Sequence, residues 1–462
     1  MQEINQEIQP KELNQKRAAG YVLADIRPEE SFAYGHIPGA VSLPYVNLLD
    51  FCKRIGAGGA SGKRKYILYC KNGELSASVC RAIQAAQSGK ESEKAKESEK
   101  SAQRSKAAEY GSVTQAQSDD RGNAQNNGKN DSENDGKSEE GGYELCCLAG
   151  GYAAWLKSRL DLLDEGAGET ARNIEKSIQK KFHKELFTKF ARAINEYDML
   201  QPGDRVAVCI SGGKDSMLLA KLFQELKRHN KFSFELVFLC MDPGYSAENR
   251  EVIERNAKLM DIPLTIFTTD IFENVLHIPK SPCYICARMR RGHLYAKAKE
   301  LGCNKIALGH HFDDVIETTL MGMLYGGQMQ TMMPKLHSTN FPGMELIRPL
   351  YLVREKDIVA WRNYNGLSFL QCACKFTEQC SLETNVRESV SKRKKVKSII
   401  ADLAKEDPEI EMNIFRSSEN VALSTVIAYK DKSGVRHSFL DDYGSGKDSA
   451  NGSDGNGGED SE

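Results

Sequence analysis

The chain has 462 residues, 40% of them apolar, enough for two or three domains with cores of their own. A formal charge of −1 excludes a global field that would draw the whole molecule to nucleic acid or to a membrane, so any basic surface is local. Thirteen cysteines occur with no leader segment and no bilayer-length apolar run. They fit a reducing, cytoplasmic setting and read as thiols, metal ligands or sulfur carriers rather than as disulfides.

Residues 6–160 read as an α/β unit. Val22-Leu23-Ala24-Asp25-Ile26-Arg27-Pro28 ends a strand in a carboxylate–guanidinium pair. The segment Phe32-Ala33-Tyr34-Gly35-His36-Ile37-Pro38-Gly39 follows. Lys65–Tyr69 is a second strand, and Cys70-Lys71-Asn72-Gly73 turns from it into a helix. Cys70 therefore falls at a strand's C-terminal end and just before a helix N-terminus, where inward-facing amides and the helix dipole favour a thiolate or a persulfide. The stretch 87–142 is Ser, Lys, Glu, Asn, Gly and Asp with almost no large apolar residue, so it is expected to be a disordered insertion inside the unit. Folded pattern resumes at Tyr143, and Gly150-Gly151-Tyr152 with Trp155 closes it.

These segments resemble the rhodanese family in order and spacing across nearly the whole front region. The resemblance implies a sulfur carrier with Cys70 as the catalytic residue. Leu75 stands where many members carry Arg, and Glu74 adds negative charge. A protein persulfide donor such as a cysteine desulfurase is therefore expected in place of a small anion such as thiosulfate.

From Ile174 to Asn195 the spacing predicts a basic helix. Strands and helices then alternate over 204–420, with Val206–Ile210, Glu235–Cys240, Leu264–Thr268 and Lys305–Leu308 as short buried strands, which predicts a parallel sheet covered on both faces. Between the first strand and a helical run lies Ser211-Gly212-Gly213-Lys214-Asp215-Ser216. A strand–glycine turn–helix aims several N–H groups and a helix N-terminus at one point, which suits phosphate. The spacing does not fit a Walker A loop; it resembles the loop of PP-loop ATP pyrophosphatases. Asp242-Pro243-Gly244 and Gly309-His310-His311-Phe312-Asp313-Asp314 follow later strands and are placed at the same sheet edge, the second serving as loop and helix cap with a role for Mg²⁺. The tail 444–462 is acidic and expected to be disordered.

Cys283 and Cys286 form a Cys-x-x-Cys pair followed by Arg288, Arg290 and Arg291, and Cys372, Cys374 and Cys380 lie downstream. Such thiols suit zinc, redox chemistry or an iron–sulfur cluster. Taken with the loop, with Ile347-Arg348-Pro349-Leu350 and with Arg354-Glu355-Lys356-Asp357, they resemble the tRNA 2-thiocytidine biosynthesis family over about 174–420. The resemblance implies an adenine-nucleotide alpha-hydrolase-like (PP-loop) fold, ATP with Mg²⁺, and a 4Fe–4S cluster on Cys283, Cys286 and Cys372. Cys374 is the alternative third ligand, because Cys-Ala-Cys departs from the family spacing.

The expected function is ATP-dependent thiolation of a cytidine in the tRNA anticodon loop. ATP would prime the C2 oxygen as a leaving group, and the Cys70 persulfide would relay sulfur. The same chemistry on a uridine or a small acceptor, or a redox and sulfur-trafficking module, are the alternatives. A homodimer is compatible with the sequence, and no membrane role is expected. Three basic clusters are candidates for RNA phosphate: the 174–195 helix, Arg288–Arg291, and Lys392–Lys395 with Lys397.

Overall fold

The structure is a computed structural model that describes residues 7–56, 64–87, 143–164, 167–271, 282–370, 384–431, 433–441 and 443. The calls on Cys372, Cys374 and Cys380, on the 88–142 part of the insertion and on the tail lie outside those residues.

The front sheet holds β1 (Glu7–Ile8), β2 (Val22–Asp25), β3 (Val41–Ser42), β4 (Arg64–Tyr69) and β5 (Tyr143–Leu148) in the order β1-β5-β4-β2-β3, every pair parallel. β4 sits at its centre, so Ile67, Leu68 and Tyr69 are fully buried and Cys70 leaves the sheet from its middle. Asp25 and Arg27 form the expected pair, with Arg27 Nη2 2.6 Å from the carboxylate and Asp25 wholly buried. The Arg27 guanidinium also donates to the Gly35 carbonyl and stacks on Tyr152, 4.0 Å from the ring centre. Removing one partner of a charge pair this deep would leave the other charge buried and uncompensated.

The second sheet holds β6 (Arg205–Ile210), β7 (Glu235–Asp242), β8 (Leu264–Thr268), β9 (Lys305–Ala307), β10 (Lys335–His337) and β11 (Glu345–Ile347) in the order β10-β11-β9-β6-β7-β8. The four predicted strands are all present. The sheet is parallel except at its edge, where β10 pairs antiparallel with β11. Its order reverses between β6 and β9, and the crevice above their C-terminal ends is where open α/β sheets take ligands. A small hairpin, β12 (Ala428–Lys430) with β13 (Arg436–Ser438), stands apart.

The basic stretch predicted as one helix is broken. A helix covers Ala167–Gln179, a π-type turn covers His183–Thr188, and a further helix covers Lys189–Glu196. The break lets Phe182, Leu186, Phe187 and Phe190 all reach the core, where Phe187 stacks on His229 at 5.0 Å. Among the described residues no helix is long and apolar enough to cross a membrane.

Candidate active site

In the front sheet the loop after β4 closes on the thiol. The Gly73 and Ser76 amides donate to Cys70 Sγ at 3.2 and 3.4 Å, and the Ser76 hydroxyl approaches at 3.5 Å. The loop can curl this tightly because Gly73 adopts φ 90°. Tyr152 and Ala153, at the start of the helix Gly151–Asp164, donate their amides to the Cys70 and Lys71 carbonyls at 2.8 and 3.0 Å. A Cβ on Gly151 would collide with the Cys70 carbonyl oxygen, so the close approach requires glycine. Two amides and a hydroxyl thus converge on one sulfur, which serves the loop as a hydrogen-bond acceptor. Cys80, Cys146 and Cys147 are buried in the same half.

In the second sheet, Ile210 delivers the chain into Ser211–Ser216 at the reversal point. Gly212 turns at φ 80°, and the helix Lys214–His229 begins immediately. The Ser216 hydroxyl donates to the Gly213 carbonyl at 3.0 Å and accepts the Ser211 amide at 3.1 Å, which fixes the loop from within. Gly309, after β9, lies so close that a Cβ there would stand 3.2 Å from the Ser216 nitrogen. The two loops therefore share one crevice. His311 caps the helix Phe312–Gly326 by accepting the Asp314 amide, and Asp314 accepts the His311 amide in return. Asp313 accepts the Glu355 amide at 2.6 Å and pairs with Arg354 at 3.1 Å, so both acids act as caps, as the sequence suggested.

Lys214 is buried between Asp215 at 3.0 Å and Glu355 at 3.2 Å. Burial works against its charge, but the two carboxylates outweigh it and hold the ammonium above its usual range. Burial likewise opposes ionisation of Glu355, yet Lys214 and Lys397 pull its pKa down to about 2. Burial also pushes the His310 imidazole down to about 4, only partly offset by Asp314, and its Nδ1 is buried without a hydrogen-bond partner.

These shifts set an acid limit on stability. His310 has a folded pKa below its unfolded value near 6.5, so its contribution is complete above pH 6.5 and is lost as the pH falls toward 4. Glu355 adds a second loss below about 4.5, its unfolded value. Denaturation midpoints should fall steadily from pH 7 to 4, and His310→Gln should flatten the part above 4.5. An unchanged slope in that variant would remove His310 as the cause.

The contact that sequence reasoning missed is Tyr34. It belongs to the front half, at the end of the helix Glu29–Tyr34. Its hydroxyl accepts the Lys214 amide at 3.2 Å and donates to the Leu370 carbonyl at 3.1 Å. The Lys214 ammonium lies 5.2 Å from the centre of its ring, and Arg362 donates to its carbonyl. Burial pushes the phenol up to about 12, so it stays protonated at neutral pH. Gly213 is equally close to Leu370, whose carbonyl stands 3.8 Å from where a Gly213 Cβ would lie.

Of the cysteines proposed as metal ligands, Cys286 is buried on the helix Pro282–Glu300, in an apolar cluster with Cys209 and Met241 from the ends of β6 and β7. Cys283 is in the same helix one turn earlier, and its side chain lies outside the described residues. Cys209, Cys240 and Cys303 are core residues.

A PP-loop domain model matches residues 180–392, and a rhodanese-like domain model matches residues 9–107. The tRNA-cytidine(32) 2-sulfurtransferase of Coxiella burnetii (strain Dugway 5J108-111) is 35% identical over 255 residues, which are 54% of this chain and 95% of that protein. The chain belongs to the tRNA-cytidine(32) 2-sulfurtransferase family of PP-loop proteins. The family member of Anaeromyxobacter sp. (strain Fw109-5) is 34% identical over 250 residues, 54% of this chain and 79% of its own length. Among solved structures, the U34-tRNA thiolase NcsA from Methanococcus maripaludis with its 4Fe–4S cluster is 20% identical and superposes with a TM-score of 0.43, covering 54% of this chain and 83% of that one. The family match lies in the second half of the chain, and the rhodanese-like domain is fused ahead of it.

Proposed function

We propose that the chain thiolates a cytidine of tRNA, with ATP as activator and Cys70 as sulfur carrier. The pyrimidine O2 attacks the α-phosphorus of ATP and pyrophosphate leaves. A sulfur nucleophile then attacks C2 and AMP departs with the oxygen. Ser211–Ser216 receive the nucleotide: the glycine turn and the helix N-terminus face the phosphates, and Lys214 offsets charge as pyrophosphate separates. Cys70 accepts a sulfane sulfur from a protein persulfide donor. It releases that sulfur at the sulfide level when a thiol reductant supplies two electrons.

The observation that carries this reading is the Tyr34 contact, which brings the half of the chain bearing Cys70 onto the first amide of the phosphate-loop helix. A carrier docked on the activating site keeps the sulfur near its acceptor and away from bulk thiols.

Cys283, Cys286 and Cys372 are the residues that would hold a 4Fe–4S cluster. The fit has one support in the described residues: Cys286 is buried beside the end of β6, the strand that carries the loop. When bound, such a cluster supplies a sulfur-seeking iron with one position not taken by protein. Mg²⁺ would accompany ATP near Asp215 and the His310–Asp314 loop.

The test is pyrophosphate release from ATP with and without unmodified tRNA, followed by mass spectrometry of the nucleosides. The expected result is release that depends on tRNA and 2-thiocytidine in the product. Release without tRNA, or a thiolated uridine, would overturn the assignment.

A further inference from the structure

The basic clusters named from sequence are not equivalent in the fold. Arg393 is paired with Asp314 and Glu317, Lys394 with Glu30, and Lys397 with Glu355. Three cations of that cluster are thus already paired with acids of the protein. Arg288, Arg290 and Arg291 have no acid partner among the described residues.

Arg288 and Arg291 open onto a cavity of about 550 Å³ between the helix Pro282–Glu300 and the connection from β10 to β11. Its floor is apolar, with Met289 and the stacked pair Tyr295–Phe341, whose ring centres are 5.2 Å apart. Ser338, Thr339 and Asn340 form its polar rim, and no carboxylate is among the residues that line it. At its inner end is Arg348, only 7% exposed. One arm of Arg348 donates to the Met333 carbonyl, but its Nε is buried with no partner. Burial first, and Arg291 as well, press the Arg348 pKa down to about 10, so it remains a cation at neutral pH.

Guanidinium groups gathered with no carboxylate lining the cavity repel one another, and an unpaired buried N–H is costly. Both costs are relieved by an anion that accepts several hydrogen bonds in a plane, which is how arginine meets phosphate. The cavity has room for one nucleotide. Its aromatic floor and its rim of two hydroxyls and one carboxamide suit a nucleoside carried by that phosphate. It is separate from the phosphate loop, since it lies at the β10–β11 edge while Ser211–Ser216 follow β6 in mid-sheet.

We propose that Arg288, Arg291 and Arg348 form a phosphodiester site for a single-stranded nucleotide of the RNA substrate. It rests on the reading of the chain as a tRNA enzyme and names where the substrate backbone is held. The helix carrying the site also carries Cys283 and Cys286, so a phosphate fixed here sets the register of the RNA strand against those cysteines.

The test uses the full chain and measures anisotropy of labelled tRNA and of a labelled anticodon stem-loop across a salt series. ATP affinity is measured in parallel. Arg291→Glu should weaken both RNAs about tenfold and lower the salt slope by about one or two, because each lost phosphate contact removes close to one counterion. ATP affinity should not change. Arg288→Ala should give a smaller loss of the same kind, and it serves should the charge reversal disturb folding. If inorganic phosphate at millimolar levels reverses the difference between the variants and the parent, the site takes free phosphate and the RNA assignment is overturned. If the parent binds RNA and both variants bind it equally well with the same slope, the cavity is not a backbone site, while the tRNA reading stands. If the parent itself binds no RNA, the tRNA reading fails first.

Discussion

Cys70→Ser should reduce thiolation with a protein persulfide donor to the level seen without enzyme, and leave tRNA-dependent pyrophosphate release unchanged. Serine fits the loop, because the Gly73 and Ser76 amides that now meet Sγ can donate to a hydroxyl as well. What it cannot do is accept and release a sulfane sulfur, which requires a sulfur nucleophile and a sulfur leaving group. The separation of the two readouts is the sharp part of the expectation. Cys70 belongs to the front sheet and the phosphate loop to the second, so the activation half-reaction has no need of the thiol. The measurement is a ³⁵S transfer assay beside a pyrophosphate assay on the same preparation. Full thiolation in the serine variant would show that sulfur reaches the acceptor without the front domain.

Lys214→Met should do the reverse. Loss of a preorganised charge at a transition state costs about 10²–10³ in rate, so pyrophosphate release should fall by that factor. Loading of Cys70 with sulfur from a persulfide donor should continue at the parental rate. Methionine keeps the apolar stem in a position that is only 3% exposed. It also leaves Asp215 and Glu355 without their cation, so the variant should be somewhat less stable. A melting curve separates that loss from the catalytic one. A variant that folds and releases pyrophosphate normally would exclude Lys214 from the chemistry.

Much of this was legible because it is local. Strand, glycine turn and helix start are consecutive at Ile210–Lys214, and again at Tyr69–Glu74, so residue order alone carries the geometry. The Asp25–Arg27 pair is two residues apart and equally readable. The four strands of the second sheet followed from short apolar runs. The antiparallel β10 did not, because Lys335–His337 is only partly buried and has no apolar run to announce it. The break at His183–Thr188 was missed because the apolar residues on either side keep near-helical spacing, and one added residue in a turn changes the face without changing composition. The link from Tyr34 to Lys214 spans 180 positions. Nothing in either segment encodes the other, and Tyr34 reads only as part of a front-domain motif. Glu355 was quoted for its motif, but its pairing with Lys214 depends on the packing of two distant helices. The basic run Lys392–Lys397 looked like a free cationic face because sequence lists charges without their partners.

The Tyr34 hydroxyl occupies the first amide of the helix that follows the glycine turn. An anion drawn to that N–H and the phenol are competitors for one donor. Whatever free energy the phenol gains there is subtracted from the anion, and by reciprocity an anion that wins weakens that one contact by the same factor. Lys157–Glu251, Arg159 with the Gly366 carbonyl, and Lys394–Glu30 also cross the seam, so the phenol is one tie among several and its release retunes the junction of the halves.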